Sequence, residues 1–216
     1  MLHKADVITS IKTTGLVAVI RAENTEQAYR ITEACIEGGV AAIEITFTVP
    51  GALAVIQYLS SKYNSGEILV GAGTVLDPET ARIAILEGAQ YVVSPFLNVD
   101  TVKLCNRYQI ACMPGAMTVR EVVECMEAGA DIIKIFPGEL FGAAIIKAIR
   151  TPLPQAQLMP TGGVSIDNVG EWIQAGACAV GVGGDLTGPA KSGEYSVIVD
   201  RARKYIHKIN EARSKA

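Results

Sequence analysis

A glycine followed by a short apolar segment recurs four times along the 216-residue chain. The four segments begin at Gly39, Gly88, Gly129 and Gly176, which are 49, 41 and 47 residues apart. Each glycine follows an amphipathic stretch, where the C-terminal cap of a helix belongs. Four further apolar segments lie between these, at 16–21, 68–71, 110–113 and 157–160. The pattern therefore predicts eight strands that alternate with eight helices.

The predicted strands are short, continuous apolar runs, which indicates parallel strands covered on both faces. Helix-start signals stand between them, such as Asp77 before Pro78 and Thr118 three residues before Glu121. This order predicts one α/β domain over residues 1–216, a (β/α)8 TIM barrel with a short N-terminal helix before the first strand. A doubly wound open sheet is the alternative. The even spacing and the absence of an early G-x-G-x-x-G motif favour the barrel.

The composition excludes several functional classes. Hydrophobic residues make up 50% of the chain and charged residues 19%, which excludes intrinsic disorder. A net charge of -3 without a long basic cluster argues against nucleic acid or an anionic membrane as partner. No apolar run approaches the roughly 18 residues of a membrane span, and the N-terminus lacks a signal-peptide core. We expect a cytoplasmic protein.

The five cysteines form no C-x-x-C pair and lie mostly in apolar neighbourhoods, where they are expected to act as small core residues. The two histidines, His3 and His207, lie near the termini. They are therefore poorly placed to activate a thiol or to hold a transition metal. The sequence predicts no metal and no cofactor.

Two charged residues interrupt strands that should be wholly apolar. Lys134 lies within Ile132–Phe136 and Glu44 within Ala41–Ile45, each five residues after its repeat glycine. These positions fall on the second and sixth predicted strands, which face each other across an eight-stranded barrel. The two side chains are therefore expected to meet near the barrel axis, towards the carboxyl ends of the strands.

Such a pair has a structural and a catalytic interpretation. A buried ion pair contributes little stability for its desolvation cost, so a pair without a chemical role is a weak proposition. Apolar surroundings disfavour the charged form of an amine, which makes a neutral nucleophile available to attack a carbonyl. A nearby carboxylate can then transfer protons. We favour the catalytic interpretation.

Paired glycines follow the last two predicted strands. Thr161-Gly162-Gly163 follows the seventh strand, and Gly183 and Gly184 end the eighth. The loops after these strands are the usual phosphate site of a TIM barrel, because bare backbone N–H groups can approach the anion there. Tight turns use the same glycines, so position rather than composition favours phosphate binding.

Several strings of the chain resemble those of the KDPG/KHG aldolase family. They are Ile43-Glu44-Ile45-Thr46, Gly71-Ala72-Gly73-Thr74-Val75-Leu76, Ser94-Pro95, Lys134-Ile135-Phe136-Pro137 and Pro160-Thr161-Gly162-Gly163. The resemblance implies a class I lyase that needs no metal. It would cleave 2-keto-3-deoxy-6-phosphogluconate or 4-hydroxy-2-oxoglutarate to pyruvate and an aldehyde. It also implies a homotrimer whose other partner is only the small keto acid or phosphosugar acid substrate.

The resemblance assigns roles by position. Lys134 resembles the lysine that forms a Schiff base with pyruvate, and Glu44 resembles the carboxylate that moves protons to and from that intermediate. Thr74 resembles a residue at the pyruvate carboxylate, and Thr161 one near the aldehyde end. The phosphate-site glycines and the walls of the site complete the implied substrate-binding set: Gly162, Gly163, Gly183, Gly184, Phe136 and Pro95.

Two positions raise questions about the substrate. Many family members carry a Glu-x-Thr-x-Arg pattern, but Thr48 stands here in place of the arginine. Arg21, at the end of the first strand, is expected to hold the substrate carboxylate instead. Asp185 directly follows Gly184, so either the substrate is unphosphorylated or the loop turns this carboxylate away.

Three other functions stay open. One is an aldolase for 2-keto-3-deoxy-6-phosphogalactonate, which differs only in its configuration at C4. A second is a phosphate-binding barrel isomerase or decarboxylase that uses Lys134 as a charged electrophile without an imine. The third is a barrel that binds a phosphosugar or keto acid without turning it over.

Overall fold

Helices and strands alternate along the chain in the computed structural model, which describes residues 2–64 and 66–215. The strands are β1 Leu16–Ile20, β2 Ala42–Thr46, β3 Leu69–Gly73, β4 Tyr91–Val93, β5 Ala111–Met113, β6 Gly115–Ala116, β7 Ile133–Ile135, β8 Leu158–Pro160 and β9 Val180–Val182. The α-helices are α1 Lys4–Thr14, α2 Thr25–Glu37, α3 Ala52–Lys62, α4 Pro78–Leu86, α5 Val99–Arg107, α6 Val119–Glu127, α7 Ala144–Arg150, α8 Val169–Gln174, α9 Gly184–Thr187 and α10 Tyr195–Ser214. No helix in the described part is long and apolar enough to cross a membrane.

All strand pairs are parallel, and the strands form two sheets. The larger is a curled six-stranded sheet with the order β5-β4-β3-β2-β1-β9, and the smaller has the order β6-β7-β8. An isolated parallel bridge joins Thr161 to Gly181 between them. The predicted α/β class is confirmed, and β5 lies within the fifth predicted strand at 110–113, but a separate two-residue strand, β6, follows it. Pro114 separates β5 from β6, because proline has no N–H to donate to a ladder.

The four repeat glycines end helices, as the sequence predicts. Gly39, Gly88, Gly129 and Gly176 all have positive φ, between 87° and 102°. After α2, the Gly39 N–H donates to the Ile36 carbonyl and the Val40 N–H to the Cys35 carbonyl. This is the Schellman arrangement, which satisfies the last carbonyls of the helix and turns the chain into the next strand.

The helix starts are also capped as predicted. Asp77 accepts a hydrogen bond from the Thr80 N–H at 2.6 Å. Thr118 and Glu121 form the reciprocal capping box of α6. These caps place each helix start at a fixed distance from the preceding strand end, and thus help to fix the loops that surround the site.

Successive strand residues face two different cores. Ala18 of β1 and Ile43 of β2 pack under the outer helices. Val17 and Ala42 point inward to a second cluster with Met159, against which Val7 of α1 also packs. Glu44 and Lys134 lie on strands whose residues are all buried. The parity of the strands therefore decides that these two charges point into the apolar interior.

The cysteines belong mostly to the core. All five are free, four of them buried, and Cys178 is partly buried. Burial raises the pKa of the Cys35 thiol to about 12. Burial likewise raises the pKa of Cys125 to about 12. The predicted packing role is confirmed for the four buried thiols, because such thiols stay protonated at neutral pH.

Candidate active site

Lys134 and Glu44 meet inside the protein, as their spacing predicts. The Lys134 Nζ lies 3.9 Å from Glu44 Oε1, with side chains that are 5% and 0% exposed. In the parallel register Glu44 is opposite Val19 of β1 and Gly71 of β3, whereas Lys134 is opposite Gly115 and Met159. The two strands thus direct one cation and one carboxylate to the same interior point.

The Glu44 carboxylate lies against the backbone of β3. A Cβ atom at Gly73 would overlap the Glu44 side chain, so glycine is needed there for the carboxylate to fit. Neither carboxylate oxygen has a hydrogen-bond partner within the described residues. A buried carboxylate without donors is costly, so its oxygens are available to a bound molecule beside the ion pair with Lys134.

A cavity of about 460 Å³ opens beside this pair. The Phe136 ring lines it and lies 5.1 Å from the Lys134 Nζ. Thr161 also lines it; its hydroxyl is buried and has no partner among the described residues. Substitution of Gly181 by a larger residue would displace the Thr161 side chain. Lys134 and Glu44 are not themselves among the residues that line the cavity, so the Phe136 ring lies between it and the amine.

Two glycine loops form the far wall of the cavity. Gly162, Gly163, Gly183 and Gly184 all line it. The first loop is held by Asn168, whose side-chain amide donates to the Gly163 carbonyl at 2.8 Å. Gly162 and Gly163 have φ of 90° and 71°, a backbone conformation that favours glycine. The predicted loops therefore converge on one cavity with Phe136 and Thr161.

Asp185 also lines this cavity, but its carboxylate is engaged elsewhere. Its Oδ2 accepts a hydrogen bond from the Tyr205 hydroxyl of α10 at 2.5 Å. Arg201 donates to the Asp185 backbone carbonyl. Burial and the bond to Asp185 raise the pKa of Tyr205 well above its ordinary value, which keeps the phenol a donor. Of the two sequence-based possibilities, the structure favours a side chain turned aside.

The other three predicted residues lie at strand ends with different surroundings. Arg21 follows β1, is exposed, and lines both the main cavity and a neighbouring one of about 370 Å³. Thr74 follows β3 with φ of 57°, which is unusual for a β-branched residue. Pro95 follows β4, and its carbonyl packs against Gly115. Thr74 and Pro95 are not among the residues that line the main cavity.

One charged residue of the cavity, Glu139, is not indicated by any motif of the sequence. Glu139 follows β7, lines the cavity, and covers the Gly162–Gly163 turn so closely that a Cβ at Gly162 would overlap its carboxylate. Its position five residues after Lys134, past the end of the same strand, was the available signal. Among the described residues no group of three or more His, Cys, Asp or Glu side chains is placed to hold a metal ion.

Comparison with known proteins identifies the class of enzyme. The profile of the KDPG and KHG aldolase family matches residues 7–200. The chain therefore belongs to this family, and it is an aldolase, which is a lyase.

The individual relatives act on more than one substrate. The 2-dehydro-3-deoxy-6-phosphogalactonate aldolase of Escherichia coli is 32% identical over 198 residues, covering 91% of this chain and 95% of the relative. The KHG/KDPG aldolase of the same organism is 33% identical over 202 residues, covering 91% and 93%. A solved structure of KDPG aldolase from Legionella pneumophila, with pyruvate captured at low pH as a covalent carbinolamine, superposes with a TM-score of 0.83. It is 26% identical and covers 91% of this chain and 96% of that chain.

Proposed function

We propose that this aldolase works through a Schiff base on Lys134. It would cleave 2-keto-3-deoxy-6-phosphogluconate or 4-hydroxy-2-oxoglutarate to pyruvate and glyceraldehyde 3-phosphate or glyoxylate. The observation that carries the proposal is the buried amine 3.9 Å from the Glu44 carboxylate, beside a cavity with two glycine loops. The carbinolamine of the Legionella relative supports the same attack by an amine on the keto carbon.

The steps follow from the positions of the groups. Glu44 takes a proton from Lys134, the neutral Nζ adds to C2 of the substrate, and return of this proton to the carbinolamine oxygen lets water leave, which gives a protonated imine. Glu44 then accepts the proton of the C4 hydroxyl through a water molecule as the C3–C4 bond breaks. The electron pair of that bond flows to the imine nitrogen, and an aldehyde and an enamine result. Protonation at C3, with Glu44 moving the proton through a water molecule, and hydrolysis then release pyruvate. One covalent intermediate replaces a carbanion that water could not stabilise.

The remaining residues are proposed to bind substrate. Arg21 would hold an acidic group of the substrate in place of the family's strand-2 arginine, and Thr74 would contact the pyruvate carboxylate. Thr161 would offer its free hydroxyl near the aldehyde end, and Phe136 and Pro95 would wall the site. The backbone of Gly162, Gly163, Gly183 and Gly184 would take the phosphate, since Asp185 is bonded to Tyr205.

The test is hydride trapping. Incubation with pyruvate and borohydride, followed by intact mass and a peptide map, should give a reduced pyruvyl adduct on Lys134. Lys134→Ala should form no adduct and lose turnover, whereas Lys103→Ala, at an exposed lysine of α5, should behave as wild type. Trapping on another lysine would contradict the assignment of Lys134. No adduct at all would favour an isomerase, decarboxylase or binding barrel.

A second substrate deserves a direct comparison because of the 2-dehydro-3-deoxy-6-phosphogalactonate aldolase relative. We propose to measure kcat/KM for the gluconate and galactonate forms of the phosphorylated substrate and for 4-hydroxy-2-oxoglutarate. A preference for the galactonate form would replace the first proposal at the level of substrate and leave the imine chemistry intact.

We also infer a closed eight-stranded barrel, with β5 and β6 counted as one interrupted strand, over one domain. Two hydrogen bonds support joining the sheets, from the Asp131 N–H to the Cys112 carbonyl and from the Cys178 N–H to the Leu158 carbonyl, besides the bridge at Thr161. A crystal structure with a continuous gap between the sheets would contradict closure.

A homotrimer is proposed from the family resemblance and from apolar side chains exposed around the loops at the carboxyl ends of the strands. These are Phe96, Met117, Val119, Leu140 and Phe141. Light scattering should give a mass of about 68 kDa, three times the 22.8 kDa of the chain. A mass near that of the single chain would contradict the trimer.

A cytoplasmic location is also proposed, from the free thiols.

A further inference from the structure

Tyr91 is a polar residue in the apolar interior that the proposed steps do not use. It lies on β4, is fully buried, and packs in the inner cluster with Val93, Met113 and Met159. A phenol is expensive to bury unless its hydroxyl finds a partner. Phenylalanine would fill the same space without that cost, so the hydroxyl calls for an explanation.

The register of three strands sets Tyr91 in one row with Glu44. Glu44 of β2 is opposite Gly71 of β3, and Gly71 is opposite Tyr91 of β4. Residues in one row point to the same face of a sheet, here the interior. The strands that carry Glu44 and Tyr91 are therefore about 10 Å apart, and Gly71 lies between the two residues.

The missing side chain at Gly71 lets the Tyr91 ring cross this gap. A Cβ atom at Gly71 would overlap three ring atoms of Tyr91, among them Cζ, which carries the hydroxyl. Two residues further along β3, a Cβ at Gly73 would overlap the Glu44 carboxylate. The Tyr91 ring thus lies over Gly71 and the Glu44 carboxylate over Gly73, two residues apart on the same face of β3.

The buried polar atoms of Tyr91 and Glu44 lack hydrogen-bond partners in the part of the chain that the structure describes. The Tyr91 hydroxyl and both Glu44 oxygens have no hydrogen-bond partner within the described residues. Among all the described residues, Glu44 and Lys134 are the only charged ones that are buried. Burial and the charge of Glu44 raise the pKa of Tyr91 well above its ordinary value, so the phenol keeps its proton and can only help an anion as a donor.

We propose that Tyr91 is a positioning residue for the proposed aldolase, whose hydroxyl donates through one water molecule to the Glu44 carboxylate. This bond stabilises the ionised form of Glu44 and fixes its orientation towards the substrate carbon that gains and loses a proton. The inference rests on the proposed function for its kinetic consequence, but the hydrogen bond itself can be tested without substrate.

The kinetic test separates imine formation from proton transfer. Hydride trapping of pyruvate on Lys134 measures the first, and exchange of the pyruvate methyl protons in D2O measures the second. Tyr91→Phe should trap pyruvate to the wild-type extent but exchange its protons about tenfold more slowly at neutral pH. The acidic limb of its pH profile should move up by about one unit, because the carboxylate loses one hydrogen bond to its charged form.

Two controls make this result specific. Tyr29→Phe removes the same hydroxyl from an outer tyrosine of α2 that stacks on Tyr58, and it should leave trapping and exchange unchanged. Tyr91→Phe combined with Glu44→Gln should exchange no more slowly than Glu44→Gln alone, since Tyr91 acts through Glu44. Equal additional losses in both backgrounds would contradict that route.

Stability and NMR provide the substrate-free test. If the hydroxyl truly lacks a partner, Tyr91→Phe will be as stable as wild type or more stable, with an unchanged pH profile, and the proposal fails. If it donates to Glu44, wild type should show a downfield hydroxyl-proton resonance that moves upfield in Glu44→Gln. This resonance decides the question even if Tyr91→Phe does not fold. Absence of both trapping and exchange in wild type would refute the aldolase chemistry but not the hydrogen bond.

Discussion

Replacing Lys134 by methionine tests whether the buried pair is kept for chemistry at the expense of stability. Methionine has the length and apolar character to fill the space of the lysine stem. The change removes the cation that pairs with Glu44 and leaves this fully buried carboxylate without a salt bridge among the described residues. Its partner variant is Lys134→Met combined with Glu44→Met, whose unbranched side chain can follow the path of the glutamate over Gly73.

The magnitude follows from the separation and the burial. At 3.9 Å the attraction is about 4 kcal/mol for an effective dielectric constant of 20. Removal of one partner of a buried pair costs about 3–5 kcal/mol, because the other charge stays uncompensated. For a chain of this size each kcal/mol shifts Tm by about 2–4 °C, so Lys134→Met should lower Tm by roughly 6–20 °C. The double variant removes both charges and should return to wild-type stability or exceed it by about 1–4 kcal/mol.

Denaturant unfolding at pH 8, followed by circular dichroism, measures the differences in free energy of unfolding. Calorimetry at the same pH measures the changes in Tm. Lys147→Met, at an exposed position of α7, is the matched control and should change stability by less than about 0.5 kcal/mol. Both variants that lack Lys134 should be inactive. A single variant as stable as wild type, or a double variant as unstable as the single one, would refute the account of Glu44 as a buried carboxylate whose charge is compensated by Lys134.

Three further expectations concern other parts of the molecule. Gly73→Ala should reduce kcat about 100-fold because its methyl group displaces the Glu44 carboxylate. Gly188→Ala has open space around its methyl group and should stay active. Equal activity of the two variants would contradict the close packing of Glu44 against Gly73. Native protein at pH 8 should not react with a thiol reagent at Cys35, whose pKa burial raises to about 12, although unfolded protein should; rapid labelling of native Cys35 would disprove its burial. Hydrogen bonds from Thr80 lower the pKa of Asp77, so this cap stabilises the folded protein at pH values above the ordinary carboxyl pKa, and the stabilisation is lost as pH falls. Asp77→Ala should therefore lower the free energy of unfolding by about 1 kcal/mol at pH 7. A loss of the same size at pH 2 in denaturant titrations would rule out the carboxylate as its source.

The sequence carried most of the information on the scaffold. The spacing of Gly39, Gly88, Gly129 and Gly176 marked helix ends, because only glycine adopts their positive φ without strain. Continuous apolar runs marked strands buried on both faces, so a charge within such a run had to point into a core. Glu44 and Lys134 lie at the same distance from their repeat glycines, which placed them at matching positions on facing strands. The meeting of the two charged strands could therefore be predicted before any coordinates.

Other features depend on contacts between residues far apart in the chain. Pro114 is visible in the sequence, but the division also depends on pairing, because β5 pairs with β4 and β6 pairs with β7. The direction of the Asp185 carboxylate depends on Tyr205, 20 residues further along, whose hydroxyl reaches it from α10. A local pattern cannot predict either, since the partner is brought in by packing of a different element.

Glycines within strands suggest how the polar interior could have been recognised earlier. A glycine weakens a strand, and its presence often marks the close approach of another group. In this protein three strand glycines lie directly under three buried polar side chains from neighbouring strands, and each of those side chains has an oxygen atom without a partner in the described residues. The pairs are Gly73 with Glu44, Gly71 with Tyr91, and Gly181 with Thr161. The space that a chain leaves empty beside its strands thus points to the polar groups of its interior, and it does so for Tyr91, which no charge or motif singled out.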